Sequence, residues 1–156
     1  MKSLNQLKKL RNLLVYIKRI YFIKFWGMDL HETVQFSLSA KLDTTYPKGI
    51  HIGEGTYIAF DATILAHDMI RGYYKDTRIG KNCFIGAKSI ILPGIIIEDE
   101  CIVAAGSVVT SSVPFRSIVA GNPARIIRSG TPLKKYGRLP TADENIRSAI
   151  KQRKIY

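Results

Sequence analysis

The sequence predicts an all-β solenoid: a column of parallel strands wound into three-sided coils, with a helix before it, one excursion loop within it and a short helical tail after it. Three observations carry this prediction. An aliphatic residue returns at every sixth position at Ile52, Ile58 and Ile64, and again at Ile79, Ile85, Ile91, Ile97, Val103 and Val109. Within a unit the second position is small or acidic (Gly53, Ala59, Gly80, Gly86, Glu98, Ala104), and the fifth is small (Thr56, Ala62, Cys83, Ser89, Cys101, Ser107). The count fails once, in ILAHDMIRGYYKDTRIG (64–80), and a histidine sits at the break. A period of six is not the alternation of a sandwich strand. A long run of such units is a repeat array, in which each unit buries its face only against its neighbours.

Each unit suits a strand, a tight corner and a strand again, and three units make one turn. The first-position aliphatic points inward. The fifth residue also points inward, near a corner where only a small side chain fits. Cys83 and Cys101 are 18 residues apart on fifth positions, so they should stack one coil apart, at about 4.8 Å. Two cysteines are too few for a disulfide framework, and two buried thiols are expected. Asp68 also falls on a fifth position, where an unpaired carboxylate cannot be buried. The chain must therefore leave the column near His67 and return at Ile79, with 67–78 as the loop.

Residues 1–28 read as a basic amphipathic helix. Leu7, Leu10, Leu14, Ile17 and Tyr21 form one stripe at alternating steps of three and four, with Lys8, Lys9, Arg11, Lys18 and Arg19 mostly off it and Phe25 and Trp26 at the end. Such a helix suits peripheral contact with the anionic inner face of a membrane, or packing of its stripe on the column or on a neighbouring subunit. The charge is uneven: +7 in 1–28, −2 in 29–124 and +7 in 125–156. Basic ends suit phosphate-bearing partners. Nucleic acid is set aside because no groove of stacking aromatics is evident. No apolar run reaches the roughly 18 residues of a membrane span, and no secretory signal is visible, so a cytoplasmic location is expected. Gly121-Asn122-Pro123-Ala124 should end the array, Gly121 by allowing a sharp turn and Pro123 by stopping strand pairing. Residues 129–156 form a basic tail.

The array (29–128), with AGSVVT (105–110) and SIVAGNPA (117–124), resembles the hexapeptide-repeat acyltransferases over about residues 34–128. That family includes galactoside and maltose acetyltransferases and the sugar O-acetyltransferases of polysaccharide synthesis. The resemblance implies a left-handed parallel β-helix of about three to five coils. It also implies a homotrimer, with acetyl-CoA as co-substrate bound between subunits and no metal.

His67 matches the family's loop histidine, which serves as base. Its chemistry fits independently, because moving an acetyl group from a thioester to a hydroxyl needs a group that takes the hydroxyl proton near neutral pH. Asp68 is expected to orient His67 or to touch the acceptor. Ala87, Ala105 and Thr110 match positions that contact acetyl-CoA. Arg128 matches a basic position near the nucleotide, and Arg125 lies close by; such cations suit the phosphates. The position of an acceptor-holding asparagine in galactoside-type members falls at Ser39, within a segment (36–42) of weak repeat character. The acceptor is expected to be a saccharide or lipid-linked saccharide of surface polysaccharide or lipopolysaccharide synthesis. The alternatives are an amino-sugar N-acetyltransferase and a non-catalytic scaffold. A zinc site of the γ-carbonic-anhydrase kind needs three histidine ligands, and only His31, His51 and His67 are present, with none close after His67. A serine acetyltransferase would carry a long helical N-terminal domain that about 30 residues cannot supply.

Overall fold

The structure is a computed structural model and describes residues 8–153. The first coil is built from β1 (Asp29–Leu30), β2 (Gln35–Phe36) and β3 (Lys41–Leu42), and the second from β4 (Ile50–Ile52), β5 (Tyr57–Ile58) and β6 (Thr63–Ile64). A hairpin of β7 (His67–Asp68) and β8 (Tyr73–Tyr74) then interrupts the winding. The third coil is β9 (Thr77–Ile79), β10 (Phe84–Ile85) and β11 (Ile90–Ile91), and the fourth β12 (Ile96–Ile97), β13 (Ile102–Val103) and β14 (Val108–Val109). A partial fifth coil holds Val113, bridged in parallel to Ile97, and β15 (Ile118–Gly121). Strands of successive coils share a face: β1-β4-β9-β12 on face A, β2-β5-β10-β13-β15 on face B, and β3-β6-β11-β14 on face C. Every coil-to-coil pairing is parallel.

The predicted inward residues fill the column. All nine first-position aliphatics are at most 4% exposed. Thr56, Ala62, Cys83, Ser89, Cys101 and Ser107 are buried at the corners beside them. Their polar atoms are satisfied by corner carbonyls: Thr56 Oγ1 donates to Gly80 O at 2.7 Å and Ser89 Oγ to Gly86 O at 2.7 Å. The cysteines are free and buried, and donate to Glu98 O and Pro114 O at 3.1 Å. The neighbouring Cys101 and burial push the Cys83 thiol up. Segment 36–42, whose repeat looked weak, is a full part of the first coil, with Phe36 beside Ile58 and Leu42 beside Ile64.

Two further requirements come from the corners. The residue before each inward small one is left-handed: Asp61, Asn82, Lys88, Glu100 and Arg116 have φ of 54° to 57°, and Gly55 and Gly106 have 63° and 70°. At second positions held by glycine, such as Gly53 and Gly86, backbone passes close above backbone. A Cβ on Gly86 would stand 2.5 Å from Ala105 N and 2.6 Å from Val103 O.

The ends of the column differ from expectation. Helix α1 (Lys8–Ile20) runs into a π-helical turn, Tyr21–Phe25, and Phe22 is buried against Phe36 at the first coil, with ring centroids 5.7 Å apart. Leu10, Leu14, Ile17 and Tyr21 of the predicted stripe face outward, 40–55% exposed; Leu7 lies outside the described residues. The face toward the column carries Val15, Lys18 and Phe22, because Lys18 Nζ finds acceptors in Leu38 O (2.6 Å) and Ala40 O (2.8 Å) and the Arg19 guanidinium finds Glu32 O. At the other end Pro123 does not stop pairing. Gly121, at φ 103°, lets the chain reverse, and β16 (Ala124–Arg128) returns antiparallel on β15.

Past β16 the chain descends the corner between faces A and B. Thr131 N donates to Arg116 O, Leu133 N to a Glu100 carboxylate oxygen and Tyr136 N to Gly55 O, while Gly137 lies against Phe84. Helix α2 (Ala142–Arg153) follows.

Two substitutions test this packing by urea unfolding at constant m-value. Gly86→Val should cost about 1–3 kcal/mol through steric overpacking. Ile91→Ala should cost about 2–5 kcal/mol through the cavity it leaves.

Candidate active site

The spacing between paired residues locates the site. Partners in the third and fourth coils are 18 residues apart, those in the first and second 22, and those in the second and third 27. Both surpluses lie at the corner where face C turns to face A. The smaller one is segment 43–49, and the larger is the hairpin excursion that begins at His67. Two consecutive coils therefore bulge at the same corner, one above the other.

Their juxtaposition clasps a buried carboxylate against a half-buried imidazole. Asp43, 7% exposed, follows Leu42 and accepts at Oδ2 from Ala66 N (2.9 Å), His67 N (3.0 Å) and His67 Nδ1 (2.5 Å), and at Oδ1 from Thr45 N (2.8 Å). Burial would raise its carboxyl, but the hydrogen bonds from Ala66 N–H, the His67 ring, Thr45 N–H and His67 N–H outweigh burial and hold it below the ordinary carboxylate range. A carboxylate at Nδ1 fixes the proton there and turns the Nε2 lone pair outward. The His67 ring stacks on Tyr74 at 6.4 Å, and Tyr74 meets Tyr46 edge-on at 5.5 Å. The exposed side of His67 borders an open, largely apolar groove of about 430 Å³ lined by Leu65, the hairpin residues 68–71, Leu92 and Pro93.

A larger groove, about 700 Å³, runs along face A past His51. Its histidine is unsuited to act as a base, because Asp29 holds Nδ1 at 2.9 Å and Asp76 holds Nε2 at 3.2 Å. His67 Nε2 has no such partner among the described residues. Among those residues no group of three or more His, Cys, Asp or Glu is arranged to hold a metal ion.

The other candidate residues divide between two corners. Thr110 follows Val109 on the His67 corner, two coils above Leu65 through Leu92. Ala87 and Ala105 lie one above the other on the corner between faces B and C, where Gly106 N donates to Ala87 O at 2.8 Å. Arg125 is exposed beside Ala120 near that same corner, whereas Arg128 pairs with Ile118 at the opposite end of face B. Ser39 belongs to the B–C corner of the first coil, where its Oγ accepts from Asp61 N at 3.3 Å. Asp68 does not orient His67. Its carboxylate accepts from Ile70 N and Arg71 N and pairs with the Arg71 guanidinium at 3.3 Å, and these bonds, that from Arg71 N–H first, keep its pKa low.

Sequence reading missed Asp43, the group on His67. Its signal was the interval of ten between Leu42 and Ile52 where six would continue the array.

Comparison with known proteins agrees with this architecture. A family signature described as the hexapeptide repeat of succinyl-transferase matches residues 76–111. The provisionally named acetyltransferase YvoF of Bacillus subtilis is 36% identical over 71% of this chain and 66% of its own length. Serine acetyltransferase 2 of Arabidopsis thaliana is 35% identical over 76% of this chain and 38% of its own. Galactoside O-acetyltransferase of Escherichia coli is 30% identical over 70% and 57%. The crystal structure of a maltose O-acetyltransferase from Clostridium difficile superposes with a TM-score of 0.57 at 27% identity, covering 78% of this chain and 83% of that one. The chain carries the hexapeptide repeat and is similar over most of its length to acetyltransferases, a likeness that implies left-handed winding of the column. It spans less than two thirds of the length of each of the three curated relatives.

The clasp has a pH signature. A carboxyl held below its ordinary value of about 3.9 stabilises the fold above that pH and loses the contribution as pH falls through its folded value. The stability difference between wild type and Asp43→Asn should be widest at neutral pH and shrink below about pH 4. Urea unfolding at both pH values checks this; a difference that persists in acid would mean that the clasp does not depend on the carboxylate's charge.

Proposed function

We propose that this chain is an acetyl-CoA-dependent O-acetyltransferase acting on a hydroxyl of a saccharide, free or lipid-linked, in surface polysaccharide or lipopolysaccharide synthesis. The observation that carries the reading is the Asp43–His67 pair, with Nδ1 held at 2.5 Å and the exposed ring edge beside an open groove. In the reaction, Nε2 takes the hydroxyl proton as the acceptor oxygen attacks the thioester carbonyl. The tetrahedral intermediate collapses, the carbon–sulfur bond breaks, and the thiolate leaves with the proton returned by the imidazolium. Asp43 stays ionised throughout, fixing the ring and stabilising its positive form. Asp68 and Arg71, on the hairpin that borders the groove, are placed to meet acceptor hydroxyls.

The working assembly is a homotrimer. Ala87, Ala105 and Arg125 occupy one corner and His67 and Thr110 another, so a single chain separates the groups expected to hold acetyl-CoA from the base. A neighbouring copy can set its B–C corner against the His67 corner. The small side chains of Ala87 and Ala105 would then leave room for the pantetheine arm, and Arg125 would meet phosphate. Outward Ile90 and Ile96, 37% and 47% exposed, supply apolar flanks for such contacts.

Release of CoA thiol, measured against a panel of sugars, amino sugars, nucleotide-sugars and lipid-linked saccharides, tests the reading. His67→Ala should lower the rate by about 10²-fold or more. Asp43→Asn should lower it by about 10²-fold or more as well, with the fold intact by circular dichroism. Normal turnover in His67→Ala would remove the histidine from the reaction, and acetylation of amines alone would make the enzyme an N-acetyltransferase. Light scattering should give a trimer.

A further inference from the structure

Helix α1 is mounted with its apolar face outward. Its basic residues Lys18 and Arg19 are spent on carbonyls of the first coil, and Phe22 is sunk beside Phe36. Leu10, Leu13, Leu14, Ile17 and Ile20 are left 40–55% exposed in one contiguous stripe, with Tyr16, Tyr21 and Phe25 exposed around it. A helix resting on a globular body normally turns its apolar stripe inward, and contiguous exposed apolar surface marks a contact site. The occupant must also answer the charge. Residues 1–28 carry seven basic side chains and no acidic one. A second copy of the helix would add like charge to like charge and supply no carboxylate. An anionic lipid surface offers hydrocarbon to the stripe, an interfacial zone to the tyrosines and phenylalanine, and phosphates to the lysines and arginines.

We propose that α1 docks the first-coil end of the column, lying flat, on an anionic membrane surface. At 13 residues α1 is about 20 Å long, too short to cross a bilayer, and no helix among the described residues is long and apolar enough to do so. The placement bears on the site. His67 follows the second coil, one strand spacing above the coil that bears the helix. A lipid-linked acceptor could reach it from the surface beneath; that last step rests on the acyltransfer reading, whereas the docking does not.

Vesicle flotation of the full chain tests the docking. Wild type should float with equimolar phosphatidylcholine and phosphatidylglycerol, float little with phosphatidylcholine alone, and detach as salt is raised. Leu13→Gln/Ile17→Gln keeps the net charge and should reduce binding by about tenfold or more, with an unchanged thermal midpoint and unchanged CoA release on a soluble saccharide. Failure of wild type to bind anionic vesicles would overturn the proposal. So would undiminished binding by the double variant, or loss of an oligomer by that variant, which would assign the stripe to a second copy. Because flotation is read without substrate, it stands or falls separately from the acetyl-transfer assay.

Discussion

The structure depends on backbone pairing between coils. Each strand is only two to five residues long and hands its N–H groups to the coil beside it, as in Leu65 N to Ile91 O and Leu92 N to Val109 O. Ladders this short persist only if successive coils stay in register, which sets the 18-residue interval and the inward aliphatic at every sixth position. The pairing also leaves unmet groups at the two ends. At the first coil the carbonyls of Glu32, Leu38 and Ala40 have no coil beneath them, and the cations of Lys18 and Arg19 occupy them. At the last coil β16 folds back on β15. An exposed row of strand edges would invite pairing with other chains; here Lys18 and Arg19 take up carbonyls at one end and β16 takes up the β15 edge at the other.

The same constraint explains where chemistry can be placed. Extra residues cannot enter a strand without breaking a ladder, so they leave at a corner. Segment 43–49 and the β7–β8 hairpin leave at the same corner of adjacent coils, which puts a carboxylate from one beneath the imidazole of the other. The column supplies a rigid frame, and the bulges present the Asp43–His67 pair on it.

The inward positions from Ile52 to Val109 were legible because one physical demand, filling the column, selects one residue type at one spacing. The break at His67 was legible because Asp68 occupied a place that cannot be charged and buried. The Asp43 clasp was not, since its four-residue surplus falls between a first coil led by Leu30, Phe36 and Leu42 and the clean array beyond it. The left-handed corner position was also hidden. Asp, Asn, Lys, Glu and Arg all serve there, because the ladders on either side fix the conformation whatever the residue prefers. The helix at the start was readable as amphipathic, but which face would meet the body was decided by vacant carbonyls that no periodicity reveals.

The segment that descends from Arg116 past Glu100 and Phe84 to Gly55 has a mechanical consequence. A stack held only by adjacent units loses its terminal members one at a time. Here the fifth coil is tethered to the fourth, third and second by one continuous seam, so it cannot fray without unfastening contacts three coils away. The two other corners have no such seam, and one of them holds the imidazole and its groove, so there each coil relies on its immediate neighbours alone.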